Sequence, residues 1–151
     1  MRDQTVETWL EALASSAPAP AGGAAAALSV GIGAALIEMA CNLTIGRPRY
    51  AQHEAKMRAA LAEATTLRTR GSALPQTTSR AFDAVADAYK LPRETDAQRQ
   101  SPTEQIQRAL VGATEVLLNT AALAGDVIQL ARRIVDGANV NVLADVAAGV
   151  T

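Results

Sequence analysis

Four clusters in this 151-residue chain have residue types and spacings that can do chemistry. The first is Pro18-Ala-Pro20-Ala-Gly22-Gly23, which opens directly into an apolar helix-forming run. Backbone N–H groups at a helix start can hold a carboxylate or phosphate, and glycine lets a ligand touch the backbone. The same residues fit a plain interhelical loop. With neither GxGxxG nor GK[ST] present, no nucleotide fingerprint is made. The second cluster, Arg47, Arg49, Tyr50 and His53, can bind an anionic ligand, with Tyr50 stacking on an aromatic ring; it also fits a solvated helix end. His53 is the sole histidine, so a helix-borne pair of metal-binding imidazoles is excluded and no metal is expected.

The third cluster pairs Asp83 with Asp87, four apart and therefore on one helix face. Two like charges there can raise a pKa for acid–base work, or form a wet face with Lys90 screening Asp87. Lys90-Leu-Pro-Arg93 adds a short basic loop. The fourth is Asn139, Asn141 and Asp145 around a turn, residues that also serve simply as turn formers and caps. Cys41 is the only cysteine, so an intramolecular disulfide is excluded, and its apolar surroundings read as a small buried hydrophobe.

The elements that must position these groups read as helices. A first helix is expected over about Gln4 to Ala14, capped by Asp3 or Thr5, with Val6, Trp9, Leu10 and Leu13 on one stripe. A second runs from about Ala24 to Thr44, its small residues Ala27, Gly31 and Ala35 four apart, and reads as a buried central helix. Glu38 and Asn42 inside the apolar stretch argue against a membrane span. Gly46 to Arg49 breaks the chain. A third helix is expected from about Tyr50 to Arg70 with Gly71 as its stop. A fourth, from about Gln76 to Tyr89, carries Phe82, Val85, Ala86 and Tyr89 on one face. Lys90 to Ser101 reads as a loop. Ser101 caps, and Pro102 starts, a long helix with Ile106, Leu110, Ala113, Leu117, Ala121 and Ala124 on its stripe. After Gly137 and the Asn139–Asn141 turn, Leu143 to Val150 reads as a last short helix.

Composition narrows the class. Hydrophobic residues are 49% of the chain and aromatic residues only 3%, too few bulky side chains for a β-sandwich core and too apolar for disorder. Alanine, the best helix former, dominates. The expectation is an all-α single domain over 1–151, a compact bundle around a buried Ala/Gly-rich central helix. A net charge of -1 with no dense basic run argues against a nucleic-acid partner. The amino terminus lacks a signal-peptide h-region, so a cytoplasmic location is expected.

The order of these pieces carries more than any one of them. Trp9-Leu10-x-x-Leu13, Pro18-x-Pro20-x-Gly22-Gly23, Leu43-Thr44-x-Gly46-x-x-x-Tyr50, Ala81-Phe82-Asp83, Ala88-Tyr89-Lys90-Leu91-Pro92-Arg93 and Gly137-x-Asn139-x-Asn141-x-x-x-Asp145 together resemble the cyclodeaminase/cyclohydrolase family. The resemblance implies an all-helical fold, a homodimer, no cofactor beyond tetrahydrofolate as substrate, and one-carbon chemistry. That chemistry is formiminotetrahydrofolate to methenyltetrahydrofolate plus ammonia, or hydrolytic opening of the methenyl ring. Both pass through a tetrahedral carbon between two nitrogens, and both need a base and an acid.

Carried onto this chain, the resemblance assigns proton work to Asp145 and Lys90, with Asp83 in reserve. Arg47, Arg93 and the amides after Pro20 meet the anionic glutamate tail of the folate. Gly22, Gly23, Thr44, Tyr50, Asn139 and Asn141 complete the ligand contacts. Three departures stand against the family pattern. Ala21 and Ala24 replace a glycine and a serine. Thr78, Ser79, Arg80 and Ala81 precede Phe82 where the family has an acidic residue. The family also continues past the Asp145 region, whereas this sequence ends at Thr151. The alternative expectation is therefore a non-catalytic helical dimer or folate-binding module.

Overall fold

The computed structural model describes residues 4–91 and 96–151, with side chains from Pro102 onward in the second segment. Among the described residues every regular element is helical: α1 (Val6–Ala14), α2 (Gly22–Asn42), a 3-10 segment (Pro48–His53), α3 (Glu54–Tyr89), α4 (Asp96–Ile134), a 3-10 turn (Val140–Val142) and α5 (Leu143–Ala148). The all-α expectation holds.

The alanine and glycine run makes α2 the central helix. Ala24, Ala27, Gly31, Gly33, Ala34, Ile37, Ala40 and Cys41 are buried along it, against α3, α4 and α5. α3 runs antiparallel to α2. Glu38 pairs with Arg68, Gly31 faces Gly71, and Gly23 faces Thr78. Small residues set the spacing of the two axes. A Cβ on Gly71 would lie 2.7 Å from the Cα of Gly31, so the two backbones touch. Ile37, Met57, Leu123, Leu130 and Ile134 fill the core around this crossing. α2 and the Pro102–Ile134 stretch of α4 are each long and apolar enough to cross a membrane; in the fold α2 is the core helix.

Four expectations about the elements need correction. Gly71 does not end a helix: α3 continues through it and through Pro75 as one element. Pro75 lacks the N–H that would bond the Gly71 carbonyl, but it is buried in tertiary contact, and the α2 crossing holds this stretch in line. Local breaker signals lost to packing. The loop expected over Lys90 to Ser101 gives way to helix from Asp96, so Pro102 lies inside α4 and not at its first position. The stripe of α4 is also shifted: Ile106, Ala113, Thr120, Leu123, Val127, Leu130 and Ile134 are buried, whereas Leu110 and Leu117 are exposed. Finally, Phe82 and Tyr89 are exposed because α3 runs past the start of α2, beyond Gly23, and outlasts its partner. On α1, Thr5 caps the start, and Trp9 alone of the expected stripe is buried.

Candidate functional site

The far end of α2 builds a groove from residues distant in sequence. After Asn42 the chain turns at Gly46, whose φ of 77° is a left-handed conformation that glycine adopts without strain. Pro48 then starts the 3-10 segment that carries Tyr50 and His53. His53 packs against Gly137, where a Cβ would come within 2.9 Å of the imidazole ring. That contact brings the loop after α4 across to the end of α2. The resulting groove has a volume of about 300 Å³ and is lined by Arg47, Arg49, Tyr50, Asn139, Val140 and Asn141.

A chain of hydrogen bonds fixes its floor. The Thr44 hydroxyl donates to the Ala40 carbonyl at 2.7 Å and accepts the Asn139 backbone N–H at 2.9 Å. The Asn139 side-chain amide donates to the Leu43 carbonyl at 3.1 Å. Its Oδ1 accepts the Asn141 N–H at 3.1 Å and the Tyr50 hydroxyl at 3.4 Å. The Tyr50 oxygen in turn accepts the Val140 N–H at 3.1 Å. Thr44 and Asn139 are buried, at 2% and 4% exposure, with their hydrogen-bonding groups engaged. Thr44 shapes the groove from beneath and does not line it, whereas Asn139 lines it with its side chain already engaged in the hydrogen bonds above. What faces outward is the Tyr50 ring, the Asn141 side chain and two guanidinium groups. Arg49 sits 5.8 Å from the Tyr50 ring centroid, and neither Arg47 nor Arg49 makes an ion pair among the described residues. Asp145, half-buried, lies one helical turn beyond Asn141 in α5.

The other expected residues are elsewhere. Gly22 and Gly23 begin α2 without a side-chain cap. Gly22 is open, while a Cβ on Gly23 would fall 2.8 Å from Thr78 and 2.9 Å from Leu117, so Gly23 serves close packing. Pro20 lies against α1 and α3. Asp83 is exposed on α3. Lys90 is exposed and bonded to Asp87 at 2.8 Å, and that hydrogen bond pushes its pKa up. A lysine so held keeps its proton and is a poor base. Arg93 lies outside the described residues.

Within one chain these two groups do not meet. α2 rises about 30 Å from Gly22 to Asn42. Gly71 faces Gly31, and α3 climbs about 28 Å further to reach Lys90. Asp145 lies in the opposite direction, one turn before Gly149, which packs on Gly33 and Leu36. Lys90 and Asp145 therefore do not act on one atom within the same chain. The sequence also left unremarked the Glu38–Arg68 pair at 2.5 Å, joined by the Thr65 hydroxyl at 3.1 Å. A lone acid in an apolar helix was its signal. Burial, then the nearby Glu38 charge, pushes the Cys41 thiol up to about 11, which makes it inert at neutral pH. Among the described residues no group of His, Cys, Asp or Glu is placed to hold a metal ion.

Comparison with known proteins agrees with the all-helical fold. A family model described as formiminotransferase-cyclodeaminase matches residues 5–151. Methenyltetrahydrofolate cyclohydrolase of Methylorubrum extorquens is 43% identical over 143 residues, which is 95% of this chain and 69% of that protein. Formimidoyltransferase-cyclodeaminase of Rattus norvegicus is 27% identical over 143 residues, but the match spans only 26% of its length. The crystal structure of formiminotetrahydrofolate cyclodeaminase from Thermotoga maritima shares the fold, with a TM-score of 0.85 at 22% identity, over 98% of this chain and 70% of that one.

Proposed function

Because the chain belongs to the formiminotransferase-cyclodeaminase family, we propose that it is an enzyme acting on a reduced folate, and that it hydrolyses methenyltetrahydrofolate. The observation that carries this reading is the 43% identity to a cyclohydrolase across 95% of the chain, against 27% for the rat cyclodeaminase.

The groove at the end of α2 supplies suitable groups. Arg47 and Arg49 are free cations for the carboxylates of a glutamate tail. The Tyr50 ring offers a face for an aromatic ring. Asp145 is not part of the groove's lining but lies one helical turn beyond Asn141, and it is assigned to accept a proton from the water that attacks the methenyl carbon. The carbon–N5 bond then breaks as N5 takes up the remaining hydroxyl proton, leaving the formyl group on N10, and Asp145 releases its proton to solvent.

The reading includes a homodimer. Leu28, Ile32, Ala35, Met39 and Leu43 form an apolar stripe along the outer side of α2, with Ile32 54% and Leu43 39% exposed. Two copies that pair this stripe antiparallel about a two-fold axis bury it in a self-complementary interface. An axis near Ala35 sets Gly22 of one copy level with Arg47 to Arg49 of the other. Asp83 and Lys90, which lie beyond the Gly22 end, are then supplied to the groove's side of the assembly by the partner. A cytoplasmic location fits the free thiol of Cys41.

The test is direct. Purified protein added to methenyltetrahydrofolate is expected to bleach the methenyl chromophore faster than buffer does. No acceleration with this substrate, nor with formiminotetrahydrofolate, overturns the enzymatic reading; turnover of the second alone replaces hydrolysis by deamination.

A further inference from the structure

A second cavity, at the opposite end of α2 from the groove, has the chemistry of a binding site. It lies between α1, the Ala19–Pro20 turn and α3, and measures about 320 Å³, within the range of small-molecule sites. Trp9, Pro20 and Pro75 make its apolar walls, and Gln4, Gln76 and Ser79 bring polar groups to it. Among the described residues no ionisable side chain lines it.

These polar groups are unused by the fold. Among the described residues the Trp9 indole N–H, both glutamine amides and the Ser79 hydroxyl make no hydrogen bond. Ser79 is the informative case. Every other serine and threonine of α3, from Thr65 to Thr78, donates its hydroxyl to the carbonyl four residues earlier. That is the ordinary resting bond of a hydroxyl in a helix. Ser79 alone leaves it unmade.

The lining therefore offers flat apolar faces with a mixed set of neutral donors and acceptors. A primary amide presents an N–H and a carbonyl side by side, which matches bidentately the adjoining donor and acceptor on the edge of an aminopyrimidinone ring. Among the described residues no cation is offered to a carboxylate or phosphate, and a purely aliphatic ligand leaves four polar groups unpaired, which is costly. We propose that this cavity is a site for a neutral, planar aminopyrimidinone heterocycle, the class to which the pterin head of a folate belongs. The assignment rests on the folate reading above. It places the head at the Gly22 end, where an antiparallel partner brings up its own Arg47 and Tyr50 for the tail.

Trp9 is the sole tryptophan of the chain, so its emission reports on this cavity alone. The probes are 5-formyltetrahydrofolate and p-aminobenzoylglutamate, the latter a tail without a head. The first is expected to quench Trp9 saturably, and the second to leave it unchanged. Gln76→Leu and Ser79→Ala are each expected to raise the calorimetric Kd for 5-formyltetrahydrofolate fivefold or more, with unchanged circular dichroism and melting temperature. The inference is overturned if Trp9 stays silent while calorimetry detects binding, if the headless probe quenches equally, or if both variants lose less than fivefold. Turnover of methenyltetrahydrofolate with a silent Trp9 discards this site and leaves the enzymatic reading standing. Neither turnover nor calorimetric binding discards both.

Discussion

Replacing Thr44 with valine tests whether the groove is held by a buried hydroxyl or merely by packing. Valine keeps the shape of threonine and removes one oxygen. That oxygen accepts the Asn139 backbone N–H at 2.9 Å, at a point where both residues are almost wholly buried. Water cannot reach the N–H once its partner is gone. A buried donor left unsatisfied costs about 1–3 kcal/mol. For a domain of this size each kcal/mol lowers the melting temperature by about 2–4 °C, so Thr44→Val is expected to melt roughly 2–12 °C lower. Thr44→Ser keeps the hydroxyl and loses one buried methyl, at about 1 kcal/mol. The two variants also differ in function. Asn139 holds Tyr50 and Asn141, so the valine variant loosens the groove and weakens folate binding, while the serine variant binds as the parent does. Tyr50→Phe acts on the same hydrogen-bonded chain, and combining it with Thr44→Val is expected to be non-additive by about 0.5 kcal/mol or more. Thermal melts and calorimetry on the parent and the four variants decide it. A valine variant as stable as the parent, with the serine variant the weaker of the two, refutes the tether and leaves packing alone as the cause.

Four further outcomes follow from named contacts. Gly71→Ala gains up to about 1 kcal/mol of helix propensity, but its methyl meets the Gly31 backbone, which has no flexible end to give; a net loss of about 1–3 kcal/mol is expected in a denaturant melt. Asp145→Asn is expected to cut kcat by about 10²–10⁴ with KM little changed, and equal losses in binding and turnover count against a base. Ile32→Glu places a charge on the exposed α2 stripe and is expected to yield a monomer by light scattering at unchanged helix content; a dimer that survives it uses another face. Cys41 is raised to about 11 in the fold, so the folded state binds the extra proton between the unfolded thiol's value near 8.5 and 11. Stability from this group is complete below about pH 8.5 and declines as pH rises toward 11; equal unfolding free energies at pH 8 and pH 10.5 in the parent and a Cys41→Ala variant alike would contradict it.

Helix identity was legible wherever a periodic face coincided with tertiary burial. The spacing of Ala27 and Gly31 marked α2 because small residues at one-turn intervals have little use except close approach, whereas Ala35, expected on the same face, is only half-buried and turns toward the outer stripe. Gly71 and Pro75 misled for the same physical reason. Local propensity is worth about 1–3 kcal/mol per residue, and the packing of Gly71 on Gly31 and the burial of Pro75 outweigh it. A single sequence displays the propensity and hides the partner. The end of α3 shows the converse. Phe82 and Tyr89 have the spacing of a buried face, but the helix outruns α2 and they are left exposed.

The site divides along a related line. Tyr50 and Asn139 are 89 residues apart and meet because His53 lies on Gly137, a contact between a ring and a missing side chain that no spacing rule encodes. Residue type alone could nominate Thr44 and Asn139 as ligand contacts, since both carry hydrogen-bonding groups. Only burial distinguishes a group that faces a ligand from one that is already satisfied; it moves Thr44 beneath the groove and leaves Asn139 on its lining with its side chain engaged. The same test reverses the standing of Ser79. In sequence it marks a place where an expected carboxylate is missing. In the fold it is the one hydroxyl of its helix that declines its ordinary partner, beside the only tryptophan. Unspent hydrogen-bonding capacity, more than residue identity, is what separates the outward-facing groups of this chain from those that hold it together.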